Sequence, residues 1–218
     1  MGRKSKKLSR EEQAEVEEWI YQNNTEETRM TDTMTIRVKC KTENQKSLIN
    51  AIKEKEVIIC SGPAGTGKTF LACAEALKLI KRNGKYKKIV IVKSVTTLKN
   101  EEIGFLKGSL REKMEPFMFS FVHNFEKLVG QAITSRLREL KTIEELPIAY
   151  MRGINLDRSI IIIDEAQNIS TENIRTIITR LGKDSKMIFL GDERQQDSKG
   201  NGGLTFLINH FSHMEEIG

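Results

Sequence analysis

The sequence predicts an α/β fold, a mainly parallel sheet with helices on both faces, extended by a helical insertion and an amino-terminal helix. Two observations carry this expectation. Short runs at residues 57–60, 89–92, 159–163 and 186–190 are apolar at nearly every position and alternate with helical patterns. Strands of that composition are the ones buried on both faces of a parallel sheet. Between the first run and the helix after it stands a glycine-rich turn, SGPAGTGKT, in the strand-to-helix setting that a phosphate-binding loop requires.

Each element follows from local pattern. Arg3, Lys4, Lys6, Lys7 and Arg10 make a basic tip, and Ser9 with Glu12 forms a capping box opening a helix with Val16, Trp19 and Ile20 on one face. Residues 22–33 are polar and turn-rich, so 1–33 read as tip, helix and linker, and 34–218 as the main domain. Ile36, Val38 and Cys40 alternate with Arg37, Lys39 and Lys41, as in a short half-exposed strand. Thr42 and Gln45 repeat the capping-box pattern before a helix with Leu48, Ile49 and Ile52 inward. After the loop come a helix over 68–81, a strand at 89–92, third and fourth strands at 147–151 and 159–163, and a helix over 173–181. That helix carries Ile174, Ile177, Ile178 and Leu181 on one stripe, with Gly182 as its stop. A strand at 186–190 and a helix over 204–211 complete the pattern.

The stretch 94–146 is too long for one crossover and reads as a helical insertion. It holds five of the nine phenylalanines (Phe105, Phe117, Phe119, Phe121 and Phe125) among Lys107, Arg111, Lys113 and Lys127. Aromatic faces among cations suit stacking on single-stranded nucleic acid. The commoner arrangement is that the rings form the insertion's own small core.

With 218 residues, 38% hydrophobic and 30% charged, the chain has enough apolar material for one good core. The net charge of +6 invites an anionic partner, unless it is only a solvated basic surface. Cys40, Cys60 and Cys73 form no CxxC or metal spacing, which fits reduced thiols. No signal-peptide core and no stretch of membrane-spanning length is visible. A soluble cytoplasmic protein without a membrane partner is expected; a disulfide scaffold and a membrane protein are excluded.

Three segments carry chemistry. Gly62, Pro63, Ala64, Gly65, Thr66, Gly67, Lys68 and Thr69 complete a G-x-x-x-x-G-K-[ST] loop. Its glycines let successive N–H groups wrap one phosphate chain at a helix N-terminus, Lys68 reaches the β- and γ-phosphates, and Thr69 offers a hydroxyl to Mg²⁺. The run 160–163 ends in Asp164 and Glu165. Asp164 is placed to hold Mg²⁺ and Glu165 to polarise the attacking water, since phosphoryl transfer asks mainly for positioning and charge stabilisation. In GDERQ after the last strand, Gln195 can sense the γ-phosphate; alone, the segment is an ordinary turn. Gln45 has an amide able to pair with both edges of adenine, although a lone helical Gln is usually solvated.

Taken together these residues resemble the PhoH-like proteins, P-loop ATPases related to superfamily 1 helicases. The resemblance runs from about residue 41 to residue 197 through KTENQK, SGPAGTGKT, IGFLKGSLREKMEPF, YMRG, IIIIDEAQN, TRLG and GDERQQD in the family's order. It implies a RecA-like core, ATP with Mg²⁺ as ligand, Gln45 as adenine reader and Gln195 as γ-phosphate sensor. Departures are Lys93-Ser94 where Arg-Pro is usual, Lys107 for Pro and Phe117 for Tyr; they bear on the insertion and not on the ATP site. No RNA-cleaving nuclease domain is expected. Relatives in that superfamily take an arginine from a second RecA-like half, for which this chain has no room. The expectation is slow, switch-like hydrolysis or an arginine from a neighbouring subunit, with Arg180 ahead of Arg152, in a homo-oligomer such as a hexameric ring. Two functions compete: an ATPase motor acting on single-stranded RNA or DNA, and an ATP-gated binding or assembly switch. A small-molecule kinase is disfavoured by the Asp-Glu pair and the Gln.

Overall fold

The computed structural model describes residues 30–93, 110–151, 153–195, 202–211 and 214, without the side chains of 83, 110–117 and 149. The predicted amino-terminal helix, Phe105, Lys107 and Arg152 lie outside the described residues, as does the side chain of Phe117.

The fold is the expected α/β, RecA-like P-loop core. Strands β1 (Val57–Ser61), β2 (Lys88–Lys93), β3 (Ile143–Glu145), β4 (Ser159–Asp164) and β5 (Lys186–Gly191) form one parallel sheet in the order β1-β5-β4-β2-β3. Every residue of β4 and β5 is buried, and the two-residue period of a strand sends alternate side chains to opposite layers. Ile160, Ile162, Ile188 and Leu190 pack with α1 (Glu43–Glu54), α2 (Lys68–Asn83) and α3 (Leu110–Val129). Ile161, Ile163, Met187 and Phe189 pack with α5 (Thr171–Ile178) and α6 (Gly203–Phe211) on the other face. Four consecutive isoleucines therefore serve two layers at once, and a charge at any of them would sit in one core or the other.

Several expectations need correction. The segment 36–40 is not a strand; its alternation is real, with Ile36, Val38 and Cys40 half-buried against the core, but it lies along the helical layer and joins no ladder. The third strand is not 147–151 but β3, inside the stretch read as helical insertion. Leu146 N donates the last ladder bond to Ile91 O at 2.9 Å, Pro147 has no N–H to continue, and Ile148–Met151 turn into a 3₁₀ helix. The stretch also supplies α3 and, after Gly130 at φ 88°, α4 (Gln131–Glu139). Phe121 and Phe125 do not make a separate small core: they are fully buried with Met118 in the main cluster against α2. Phe119 is 73% exposed and stacks on His123 at 6.0 Å. Helix α5 ends at Ile178 with Thr179 as its C-cap, so Gly182 is not its stop. A Cβ on Gly182 would stand 2.2 Å from Asp157 Oδ1 and 2.7 Å from Asp157 N, and that close approach is what requires glycine there. Among the described residues no helix is long and apolar enough to cross a membrane.

Candidate functional site

Strand order assembles the site. Because β5 lies between β1 and β4, three segments distant in sequence emerge side by side at the carboxyl ends of the strands: the 62–69 loop, Asp164-Glu165 and 191–195. Open α/β sheets bind ligands at that edge. Gly62 N donates to Gly191 O at 3.1 Å, tying the loop to β5.

Gly65 (φ 75°) and Gly67 (φ 84°) hold left-handed backbone that a side chain would strain. Gly67 is also the N-cap of α2 and offers no capping side chain, which leaves the first amides of that helix directed at an anion. Lys68 Nζ donates to Gly62 O at 2.5 Å and Pro63 O at 2.8 Å, so the ammonium is held over the loop by its own carbonyls. Thr69 Oγ1 donates to Asp164 at 3.3 and 3.4 Å. Burial, and then the neighbouring charge of Glu165, push the Asp164 carboxyl above its ordinary range. A buried carboxylate under that strain gains from a nearby cation. Thr69 and Asp164 offer the hydroxyl and carboxylate oxygens that suit Mg²⁺, which takes few protein ligands and completes its shell with phosphate and water. No group of three or more His, Cys, Asp or Glu among the described residues is arranged to hold a metal.

Glu165 is a non-glycine residue in the left-handed region, φ 53°, the kind of stored strain that collects at functional positions. Its Oε2 accepts from Gln167 Nε2 at 2.6 Å, while Gln167 Oε1 accepts from Asp192 N at 3.1 Å. Buried Gln167 thus braces Glu165 against the end of β5. Gln195 closes a 3₁₀ turn, its N–H donating to Asp192 O at 3.0 Å. Ala64, Gly65, Thr66, Gly67, Lys68 and Thr69, with Asp164, Glu165 and Gln195, line one cavity of about 510 Å³. Asn124 and Lys127 of α3 line it as well.

A second pocket of about 290 Å³ adjoins the loop between Gln45, Leu48, Cys60, Pro63 and Leu71. Thr42 Oγ1 accepts from Gln45 N at 3.2 Å, as a capping residue should. The Gln45 side chain does not close the box on Thr42. Its Oε1 accepts from Lys41 N at 2.6 Å and its Nε2 donates to Thr66 O at 3.0 Å, so it ties the start of α1 to the loop. Arg180 is not at this cavity. Its O accepts from Leu156 N at 3.3 Å, and its guanidinium reaches Ile154 O at 3.5 Å and Thr179 Oγ1 at 3.2 Å. That is the amino-terminal end of β4, roughly 20 Å from the loop for six residues of strand.

Sequence reasoning missed Gln167, Asn124 and Lys127 as site residues. Gln167 lies two positions past Glu165 in DEAQN, a spacing that signalled it. Nothing local marks Asn124 or Lys127, because only the packing of α3 on the core brings them to the loop.

The PhoH-like protein family model matches residues 37–218. The chain is similar to the PhoH-like protein of Bacillus subtilis (strain 168), 38% identical over 191 residues that cover 88% of this chain and 58% of that protein. It is 39% identical over 160 residues to the PhoH-like protein of Synechocystis sp. (strain ATCC 27184 / PCC 6803 / Kazusa), 73% of this chain and 48% of the relative. To Protein PhoH of Escherichia coli (strain K12) it is 31% identical over 180 residues, 81% of this chain and 50% of the relative. The chain spans about half the length of the curated relatives it matches.

Proposed function

Because the chain belongs to the PhoH-like protein family, we propose that it binds ATP with Mg²⁺ at the 62–69 loop and hydrolyses it. The observation that carries this reading is the convergence of Lys68, Asp164, Glu165 and Gln195 on one cavity. The triphosphate lies along the amides of 64–69, with Lys68 turning from its loop carbonyls to the β- and γ-phosphates. Thr69 and Asp164 would hold Mg²⁺, which would supply charge neutralisation on the phosphate oxygens. Glu165, held by Gln167, orients the water in line with the γ-phosphate, and Gln195 contacts that phosphate from the turn after β5. The adenine occupies the pocket beside Leu48 and Leu71, with Gln45 at its rim.

Lys127 adds a cation from within the same chain, opposite the loop. Arg180, at the far end of β4, serves only a neighbouring copy's site, so its part requires a homo-oligomer, a hexameric ring being one form. The further reading is a helicase-type ATPase acting on RNA or other single-stranded nucleic acid in the cytoplasm, where Cys40, Cys60 and Cys73 stay reduced. The alternative is an ATP-gated assembly switch without motor activity.

Steady-state turnover of wild type and Lys127→Ala, with and without single-stranded RNA or DNA, tests these readings. The reading predicts that the polymer raises wild-type turnover and that added salt erodes the effect. Lys127→Ala lowers kcat about tenfold, below the usual cost of a buried phosphate-stabilising group because Lys127 is exposed. No measurable wild-type turnover contradicts the ATPase reading; turnover that no polymer stimulates favours the switch.

A further inference from the structure

The opposite edge of the sheet has its own organisation, and it is electrostatic. Each of the five strands is entered through a turn that carries a basic residue: Lys55 before β1, Lys183 before β5, Arg158 before β4, Lys87 before β2 and Lys141 before β3. In sequence these positions are scattered from residue 55 to residue 183; the strand order sets them in a row. Backbone bonds join the turns laterally, Lys87 N to Arg158 O at 2.7 Å, Arg158 N to Lys183 O at 2.9 Å and Met187 N to Glu56 O at 2.8 Å. The register agrees, since Lys87 and Arg158 stand one residue before the paired Lys88 and Ser159.

We infer that this row is a binding surface for the phosphate backbone of single-stranded nucleic acid, on the edge of the sheet opposite the ATP site. The inference rests on the nucleic-acid reading above and gives it a location. Four intervals between five strands at about 4.8 Å make a row of roughly 19 Å, long enough for several consecutive phosphates. Lys87, Lys141 and Lys183 are exposed, and so is Arg158, whose guanidinium donates to Gly84 O and Lys85 O. Carboxylates in or beside these turns are Glu54, Glu56, Glu139, Asp157 and Asp184, and Glu139 is paired with Arg136 at 2.9 Å. Asp157 is exposed, and its Oδ1 accepts from Lys183 N at 2.7 Å and Asn155 Nδ2 at 3.0 Å, which engages one of its oxygens in the turn. Buried Lys186 at this edge is pushed down to about 8, chiefly by burial and then by Lys85, with Glu56 acting the other way. A membrane is the poorer partner, because the exposed large apolar side chains among the described residues, Phe119, Tyr150 and Met214, are not on these turns, and a bilayer-docking face needs apolar anchors as well as charge.

The test is a salt titration of affinity for a fluorescent single-stranded RNA and the matching DNA, using wild type and Lys87→Glu/Lys183→Glu. Both positions are exposed and far from the ATP cavity, so ATP affinity and basal turnover remain at wild-type values and report an intact fold. The variant is expected to bind at least about tenfold more weakly at low salt. Its log–log salt slope should fall by about 1.4, two phosphate contacts at roughly 0.7 each. Equal affinity and slope in wild type and variant overturn the surface while leaving the nucleic-acid reading in place. If wild type binds neither polymer, both fall. If the substitutions abolish binding to vesicles of anionic lipid and leave RNA affinity unchanged, the row is a membrane contact and the inference is overturned.

Discussion

Glu165→Gln is expected to keep ATP bound and to slow its turnover by about 10²–10⁴-fold, the usual worth of a positioned group that handles a proton in the reaction. The substitution is nearly isosteric. A Gln at 165 still accepts from Gln167 Nε2, which now sits 2.6 Å from Glu165 Oε2, so the brace to β5 survives. What is lost is the negative charge that orients and polarises water. Binding is not weakened, because removing a carboxylate beside the phosphates reduces repulsion. The check is kcat together with the affinity for a fluorescent ATP analogue. Turnover equal to wild type would remove Glu165 from the mechanism.

The second large effect is Lys68→Ala. The ammonium is held over the loop by Gly62 O and Pro63 O, poised where the β- and γ-phosphates must lie. Charge-assisted hydrogen bonds are worth about 1.5–3 kcal/mol each. Losing two of them weakens ATP binding by roughly 10²–10⁴-fold, at about 1.4 kcal/mol per factor of ten. Ala is a good helix former at the start of α2, so thermal unfolding of the apo protein should change little. An affinity within a few-fold of wild type, measured by calorimetry, would show that the loop lysine is idle.

The parts of this site that were legible in sequence are those whose geometry is local. The 62–69 loop carries its own glycines at the positions that prove left-handed, Gly65 and Gly67. The run 160–163 predicts a strand buried on both faces, and its acids necessarily emerge at the strand's end. Residues that act across the fold left little trace. Lys127 reaches the cavity only because Phe121 and Phe125, on the same helix, are anchored in the main core. Sequence alone grouped those rings as a separate insertion core. The third strand lies a few residues from its expected place because Pro147–Met151 is as apolar as a strand should be, whereas two of the three residues of Ile143–Glu145 are acidic and suit only the sheet's edge. The alternation at 36–40 marks one-sided burial without a strand. Such a pattern shows which side chains turn inward and does not supply a neighbouring strand. Gln45, expected at the base, lines the pocket beside the loop and also engages both ends of its amide with Lys41 and Thr66.

One measurement bears on the whole scheme most directly: a crystal structure of this chain grown with a non-hydrolysable ATP analogue and magnesium. The triphosphate is expected along the amides between residues 64 and 69, with the metal touching Thr69 and near Asp164, and Glu165 facing the terminal phosphate. Nucleotide bound elsewhere, or bound with both acids remote from its phosphates, would contradict the account.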